Sequence, residues 1–437
     1  MAVMEFRKFL RDLFEGEHRK RILSSPLTYQ LVERALKLAR GSFPSQASYM
    51  MARFALAQTG RAFSRRVPVV WTSAFFPVEI VWGLNLCPFS PEVAAAFLAS
   101  LGFAEEALDR AEQAGYSRDL CSFHRLIAGA ALLGYLPPPA ALVASTHLCD
   151  GAPLLFQNLA AFFRVPFHVL DVPYRADRDA EAYVAEQLAE LWRALADLAE
   201  RKPEPAGLAE AIQNSNRFRA NLLEVNELRC RVPAPVRGSE MLNYLYLFFA
   251  GQGSREAAEV FACLAREIGR GEREGKKEER FRILWLHLKP FYKGELMDFI
   301  ENKSGAVLAF EEMSHVYWPP LSPGDPFPSL ARKVLSHFCY KPLEARTATV
   351  KMLAEKYRVD GIVHFSHWGC RQSVGGSLML KDALQRAGWP VLLLDGDCLD
   401  ARNEATGGIL TRVQAFLEIL AERKNFRVGE RHDHCRN

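Results

Sequence analysis

Short apolar runs alternate with amphipathic segments along most of the chain, and this alternation predicts parallel β-sheets flanked by helices. The first strand-like run is VPVVWTSAFFP (67–77), which is rich in β-branched and aromatic residues. Two more strand-like runs follow, ALVASTHL (141–148) and FHVLDVP (167–173), with helix-like segments between them. Because strands that alternate with helices usually form βαβ units, we expect an α/β fold with a doubly wound parallel sheet.

The amino-terminal region, residues 1–66, has a helical pattern instead. Its apolar positions recur every three or four residues, most clearly in LTYQLVERALKLARG, where Gly41 closes the run. The first segment, MAVMEFRKFLRDLFEGEHRKR, carries charges throughout, so it predicts neither a signal peptide nor a membrane anchor. We therefore expect an added helical region in front of the first α/β domain.

The second half of the chain repeats the order of strands in the first half. FRILWLHLKPF (281–291) corresponds to VPVVWTSAFFP, and each has a Trp in mid-strand. GIVHFSHWGCR (361–371) corresponds to ALVASTHLCDG, and PVLLLDGDC (390–398) corresponds to FHVLDVP. GAVLAFEE (305–312) supplies one more strand of the second half. The repeat predicts two related doubly wound domains whose strand ends face one cleft.

A charged stretch separates the two halves. GRGEREGKKEER (269–280) contains three glycines and is typical of a solvated linker. The glycine spacing is one residue too short for a phosphate loop, and no Ser or Thr follows Lys276 and Lys277, so we predict that this chain binds no nucleotide. The predicted domains are then 67–268, which includes a helical insertion, and 281–437.

Composition narrows the class of protein. The 437 residues are 49% hydrophobic and 24% charged, as in an ordinary soluble protein of two or three domains. The formal net charge of +4, without a basic tract, argues against a nucleic-acid partner. The uncharged run at 126–145 contains three prolines and two glycines, so it predicts a helix end, a loop and a strand, not a membrane span. We expect a cytoplasmic protein without a membrane partner.

The positions of the cysteines point to chemistry. Their odd number, nine, argues against a disulfide framework and leaves metal binding or buried free thiols. Cys121, Cys149 and Cys370 each precede a predicted helix, whose amino terminus favours a thiolate. Their spacing matches no zinc ribbon or compact ferredoxin run, so as ligands they would have to converge across the cleft. Three thiolates can hold a four-iron, four-sulfur cluster with one open iron; the alternative is that they are small buried side chains.

Five segments resemble the 2-hydroxyacyl-CoA dehydratase and benzoyl-CoA reductase superfamily: CSFHRLIAGA, STHLCDG, HFSHWGCRQS, LLLDGDC and TRVQAFLEIL. They follow one another in the order expected for the family. The resemblance implies subunits with two flavodoxin-like domains, helical elements and a [4Fe–4S] cluster between the domains. It also implies that three cysteines bind this cluster, here Cys121, Cys149 and Cys370.

The resemblance further implies a mechanism and partners. A separate ATP-hydrolysing iron–sulfur activator would pass one low-potential electron to the cluster, and the cluster would reduce an acyl-CoA thioester to a ketyl radical so that the hydroxyl group leaves. The chain would form a homodimer or a heterodimer with a related subunit. A rival interpretation is a non-catalytic, cluster-bearing protein that serves as an electron-transfer partner or scaffold.

Three further cysteines leave a second cofactor open. With the first three, Cys87, Cys339 and Cys398 give three cysteines in each half of the chain. This pattern resembles the double-cubane branch of the superfamily, in which six cysteines hold an [8Fe–9S] cluster in a reductase of small molecules. Ordinary buried thiols are the alternative. The other cysteines lie in helical or tail contexts and are not expected to be ligands: Cys230, Cys263 and Cys435.

A few polar residues are candidates for supporting roles. His147 and His367 occupy equivalent places in the repeat; each could donate to a cluster sulfur or relay protons, although orienting the loop through the backbone is favoured. Arg371 would offset cluster charge or bind a thioester phosphate, or else lie solvated at a helix start. Glu79 matches a family position near the cleft, with no role assigned, and Asp395 and Asp397 are expected to cap the following turn.

Overall fold

The computed structural model describes residues 19–200, 202, 204–273, 278–403 and 406–433. Residues 274–277 of the charged linker and Cys435 of the tail lie outside this range.

Two four-stranded parallel sheets form the two α/β halves of the chain. The first contains β1 (Val69–Thr72), β2 (Cys87–Phe89), β3 (Ala141–Ser145) and β4 (Phe167–Leu170). The second contains β5 (Phe281–Leu286), β6 (Ala306–Glu311), β7 (Gly361–His367) and β8 (Val391–Gly396). Their strand orders, β2-β1-β3-β4 and β6-β5-β7-β8, are the same, so the prediction of two doubly wound domains is confirmed.

The repeat in the sequence is therefore a repeat of topology. In each half the strand with the mid-strand Trp lies next to the strand that leads to a Cys. Trp71 and Trp285 are both fully buried, and each indole N–H donates to a backbone carbonyl, of Pro137 and Leu288 respectively, at 3.0 Å. Satisfying that one polar group lets the large ring fill the core beside the sheet.

The helices lie in three groups along the chain. The amino-terminal region contains α1 (Arg19–Leu23), α2 (Pro26–Leu38) and α3 (Gln46–Ser64). The first half and its helical insertion contain α4 (Glu79–Gly83), α5 (Pro91–Leu101), α6 (Ala104–Gln113), α7 (Ser122–Leu133), α8 (Ala152–Phe163), α9 (Arg178–Leu198), α10 (Pro205–Leu228), α11 (Gly238–Ala250) and α12 (Arg255–Gly269). The second half contains α13 (Leu296–Asp298), continued as a π-helical turn Phe299–Lys303, then α14 (Pro326–Leu335), α15 (Leu343–Lys356), α16 (Arg371–Val374), α17 (Ser377–Arg386) and α18 (Thr406–Asp433).

Local sequence explains where several of these helices begin. Ser45 accepts a hydrogen bond from the Ser48 N–H at the start of α3, and Asp177 accepts one from the Ala180 N–H at the start of α9. Five other helices have a proline in their first turn. The N–H groups of a first turn have no acceptor within the helix, so a proline there costs no hydrogen bond.

The helical insertion joins the two halves. Arg229, just past the end of α10, forms a fully buried ion pair with Glu311 at the end of β6, with 2.5 Å between Nη2 and Oε1. The Asn226 amide donates to the Ser314 carbonyl at 2.9 Å. Both contacts tie the end of α10 to the end of β6 and the turn that follows it, in the second half of the chain.

In the part of the chain that the structure describes, no helix is both long and apolar enough to cross a membrane. The uncharged run at 126–145 divides as expected into the end of α7, a loop and β3.

Candidate functional site

Three cysteines from separate elements face one cavity. Cys121, Cys149 and Cys370 all line a space of about 1220 Å³ whose wall comes from both halves of the chain. Cys121 is the residue before α7, Cys149 lies between β3 and α8, and Cys370 lies between β7 and α16. The carboxyl ends of two parallel strands and three helix starts therefore meet there.

A glycine brings the two halves into contact at this point. Gly369 has a φ of +73°, which favours glycine. A β-carbon on Gly369 would lie 2.7 Å from the amide nitrogen and 2.8 Å from the α-carbon of Cys121. The loop that carries Cys370 thus packs directly against the backbone of Cys121.

Each of the three thiols has its own imidazole. The sulfur-to-Nε2 distances are 3.4 Å for Cys121 and His367, 3.5 Å for Cys149 and His124, and 3.8 Å for Cys370 and His287. The first two pairs are within ordinary N–H···S distance, and the third is longer and weaker. Burial lowers the pKa of His367 to about 4 and that of His124 to about 4.

Backbone N–H groups also point at the three sulfurs. They belong to the first turns of the helices: Phe123 and His124 for Cys121, Gly151 and Ala152 for Cys149, Gln372 and Ser373 for Cys370. Burial and, after it, the nearby Cys370 raise the pKa of the Cys149 thiol to about 12, although these N–H groups act to lower it. Three thiolates this close together need a cationic centre to balance their charge.

The donor set fits a cubane cluster. Among the described residues, no three His, Cys, Asp or Glu side chains are placed to hold a single metal ion. Cysteines bound to a cubane each contact a different iron, so they are spread more widely than the ligands of a single ion. Three partly buried thiols with N–H donors around them, open to a cavity on one side, match the needs of a [4Fe–4S] cluster that has one iron free for a ligand.

Comparison with known proteins identifies the family. The model of the 2-hydroxyglutaryl-CoA dehydratase D-component matches residues 73–420, which is most of the chain. The chain belongs to this family. It is 23% identical to the alpha subunit of (R)-phenyllactyl-CoA dehydratase from Clostridium sporogenes over 380 residues, covering 83% of this chain and 92% of that protein.

Two other proteins that are similar to this chain agree with the family assignment. The alpha subunit of (R)-2-hydroxyisocaproyl-CoA dehydratase from Clostridioides difficile is 24% identical over 83% of this chain and 92% of its own length. A benzoyl-CoA reductase subunit from Thauera aromatica is 23% identical over 72% of this chain and 80% of its own length. The predicted superfamily is confirmed, and the chain is an enzyme of this dehydratase and reductase type.

Of the three further cysteines considered for a second cubane, one lines the cavity and two lie outside its wall. Cys339 lines the same cavity, where burial raises the pKa of its thiol and the charges of Glu312 and the nearby Cys370 raise it as well. Cys398 is fully buried outside the cavity wall, and its backbone N–H donates to His367 Nδ1 at 3.1 Å. Cys87 lies on β2 with its sulfur 4.0 Å from the Gln58 carbonyl oxygen of α3, also outside the wall. Four of the six cysteines thus line the cavity of this D-component chain.

The predicted supporting histidines have different surroundings. His367 lies between Cys121 and the Cys398 backbone. His147 is buried away from the cavity wall, and neither of its ring nitrogens has a hydrogen-bond partner among the described residues. Its carbonyl accepts from the Cys149 N–H at 2.9 Å, so it orients the cysteine loop through the backbone.

The charged candidates lie around the site, not in the cavity wall. Arg371 is exposed and pairs with Asp150 at 2.6 Å, which joins the loops of Cys370 and Cys149. Glu79 is fully buried and pairs with Lys333 at 2.5 Å. Asp397 caps its turn as expected, since its carboxylate accepts from the Leu399 N–H at 2.9 Å. Asp395 is exposed instead, with its carboxylate 3.9 Å from Arg412.

The Asp397 carboxylate also accepts a hydrogen bond from the Ser122 hydroxyl at 2.5 Å, across the two halves of the chain. A buried ion pair reinforces the same junction, because Arg125 Nη2 lies 3.1 Å from Asp400 Oδ2 and Nη1 lies 2.7 Å from Glu112 Oε1. These contacts hold the start of α7, and with it Cys121, against the second half. The sequence pattern did not single out Arg125 or Asp400.

One cavity carboxyl group was also missed. Glu92 lines the wall, where it accepts from the Ala74 N–H at 2.9 Å and the Ser90 hydroxyl at 3.1 Å. Burial raises the pKa of Glu92 to about 7. Its charge is near enough to raise the pKa of Cys149. A carboxyl group with a pKa near neutrality inside the cavity is suited to proton transfer.

Proposed function

We propose that this chain is the cluster-bearing subunit of a 2-hydroxyacyl-CoA dehydratase, in which Cys121, Cys149 and Cys370 hold one [4Fe–4S] cluster. The observation that carries the proposal is the convergence of these three thiols, from both halves of the chain, on one cavity. Membership of the D-component family supports the reaction class.

The bound cluster would supply one-electron reduction of the acyl-CoA thioester, by a ketyl radical route, so that the hydroxyl group can leave. The protein residues would bind the acyl group, exclude water and move a proton. Glu92 is the cavity carboxyl group that we assign to proton transfer, because in its acid form it can donate to the departing hydroxyl. Loss of water from a 2-hydroxyacyl thioester is redox-neutral overall, so the electron must be returned at the end.

Aromatic rings in the cavity lining support an aliphatic or aromatic acyl group, although the lysines Lys289 and Lys293 also line the wall. Phe249 and Phe291 line the wall, as does Phe123, whose ring centroid lies 5.6 Å from that of His367. Arg402 also reaches the wall, but its guanidinium is bound by Asp109, Glu112 and Asp400. Aromatic walls favour aliphatic or aromatic acyl chains.

Two partners belong to the proposal. A separate ATP-hydrolysing iron–sulfur activator would deliver the electron, since the predicted absence of a nucleotide site leaves ATP hydrolysis to another protein. A related subunit would complete a dimer, because the relatives described above are named as subunits.

The double-cubane reductase is the second candidate. Cys339 in the cavity wall favours it, because a second cubane beside Cys370 would need further thiol ligands there. The position of Cys87, outside the wall and against α3, favours the single cubane. Cys398 does not separate the two candidates, because it lies outside the wall but is near enough to Cys121 and Cys370 for their charges to act on its thiol. The third candidate is a non-catalytic electron carrier with the same cluster. A measurement of substrate turnover separates this candidate from an enzyme.

Turnover by the intact complex tests the proposal. The chain is tagged, isolated without oxygen from its own cells with any bound partner, and supplied with an activator, ATP and (R)-phenyllactyl-CoA or (R)-2-hydroxyisocaproyl-CoA. The expected result is formation of the 2-enoyl-CoA that stops when ATP is omitted. Reduction of a small molecule without dehydration would support the double-cubane candidate, and a bound cluster with neither activity would support the electron carrier.

A further inference from the structure

A set of three histidines surrounds the three cysteines, one for each sulfur. We call it the histidine collar, and its members come from α7, from the loop after β5 and from the end of β7: His124, His287 and His367. In every pair the atom that faces the sulfur is Nε2. The same pairing therefore occurs three times although the histidines lie in different parts of the fold.

The hydrogen-bond direction is fixed for His367. Its Nδ1 accepts the backbone N–H of Cys398 at 3.1 Å, so Nδ1 carries no proton. An imidazole with a bare Nδ1 must carry its proton on Nε2. The Nε2–H then points at the Cys121 sulfur, 3.4 Å away.

The chemistry of a bound thiolate gives the same hydrogen-bond direction for His124 with Cys149 and for His287 with Cys370. A cysteine sulfur that ligates iron has lost its proton and can only accept a hydrogen bond. A ring nitrogen at 3.5 Å from Cys149 or 3.8 Å from Cys370 is therefore stabilising only as an N–H donor.

We propose that the histidine collar donates one N–H···S hydrogen bond to each cluster thiolate and thereby raises the reduction potential of the cluster. This inference rests on the proposed function, since it requires the cluster. An added electron increases the negative charge on the thiolates, so donors stabilise the reduced state more than the oxidised state. The effect is strengthened for His287 and His367 because both imidazoles are buried.

The three contributions are unequal. His367 makes the shortest contact, and its orientation is held by Cys398, whereas His287 makes the longest and its Nδ1 has no partner among the described residues. We therefore expect His367 to have the largest effect on the potential and His287 the smallest.

A redox titration of the anaerobically purified holoprotein, followed by electron paramagnetic resonance, tests the collar. His367→Leu removes the donor and should lower the equilibrium constant for one-electron reduction about ten-fold, which corresponds to about 59 mV. His367→Gln keeps an N–H donor and should restore most of this loss. The matched control is His168→Gln, because His168 lies on β4, outside the cavity wall.

A measurement without substitution covers the case in which His367→Leu does not retain its cluster. Pulsed electron paramagnetic resonance of the reduced wild-type protein, grown with ¹⁵N-histidine, should show weak hyperfine coupling to imidazole nitrogen. A bound cluster without this coupling, or an unchanged potential in His367→Leu, would overturn the collar while leaving the proposed function intact. A wild-type protein that binds no iron would overturn both.

Discussion

Gly369 lies so close to Cys121 that a β-carbon at residue 369 would come within 2.7 Å of the Cys121 amide nitrogen. This contact joins the loop of Cys370 in the second half to the start of α7 in the first. The distance between two of the proposed cluster ligands therefore depends on the absence of one side chain.

The Gly369→Ala substitution should therefore reduce iron binding more than it reduces the stability of the fold. A positive φ costs a residue with a β-carbon about 1–2 kcal/mol, and the clash with Cys121 adds displacement of the Cys370 loop. We expect lower iron content in a protein that still unfolds cooperatively, measured by iron analysis and denaturant titration. Gly388→Ala is the matched control, because Gly388 has a φ of +91° with nothing within 4 Å. Equal iron loss in both variants would contradict the role of the contact.

Two arginines near the cysteines should differ sharply in their effect on stability. Arg125 is buried against Asp400 and Glu112, so Arg125→Met leaves the buried Asp400 carboxylate less compensated and should cost about 3 kcal/mol of unfolding free energy. Arg371 has a side chain that is 84% exposed, so Arg371→Met should cost less than about 1 kcal/mol. Chemical denaturation measures the unfolding free energy of both variants. Similar losses in the two would show that the buried Arg125 contact is not a stronger link between the halves than the exposed Arg371 contact.

Glu92 should give turnover a dependence on pH near neutrality. Its pKa of about 7 means that the carboxyl group is protonated below this pH and ionised above it. If the acid form donates to the leaving hydroxyl, turnover falls as pH rises through about 7. Glu92→Gln should lose this limb of the pH profile and turn over about 10²-fold more slowly.

Iron content is the first control for this substitution. Glu92→Gln should keep the iron content of the wild type, since Glu92 is not a proposed ligand. Glu105→Gln, on the same cavity wall, is the matched variant for the pH profile. A profile that is unchanged in Glu92→Gln would remove Glu92 from the reaction.

The sequence predicted the parts of this site that depend on local pattern. Apolar runs marked β3 and β7, and the positions of Cys149 and Cys370 after them followed from the repeat. The short strand β2 was not predicted, because it spans three residues, one of them a proline, and has no alternation to detect.

The histidine pairs could not be predicted, because they depend on how the two sheets pack. His287 and Cys370 are 83 residues apart, and His367 and Cys121 are 246 apart. No spacing rule connects residues at such separations. His124 is closer, in CSFHRLIAGA, but its ring reaches Cys149 and not the neighbouring Cys121. Among the three histidines, only His367 was a candidate from the sequence, because it lies at the end of a predicted strand just before Cys370.

Iron and sulfide analysis of the anaerobically purified chain measures the proposed cluster itself. We expect about four irons per chain in the wild type, in Cys398→Ala and in the control Cys230→Ala, and almost none in Cys370→Ala. About eight irons, falling in Cys398→Ala, would replace the single cubane with the double one. Wild-type protein without iron, or Cys370→Ala with the full wild-type content, would contradict the claim that Cys370 completes a cluster site with Cys121 and Cys149.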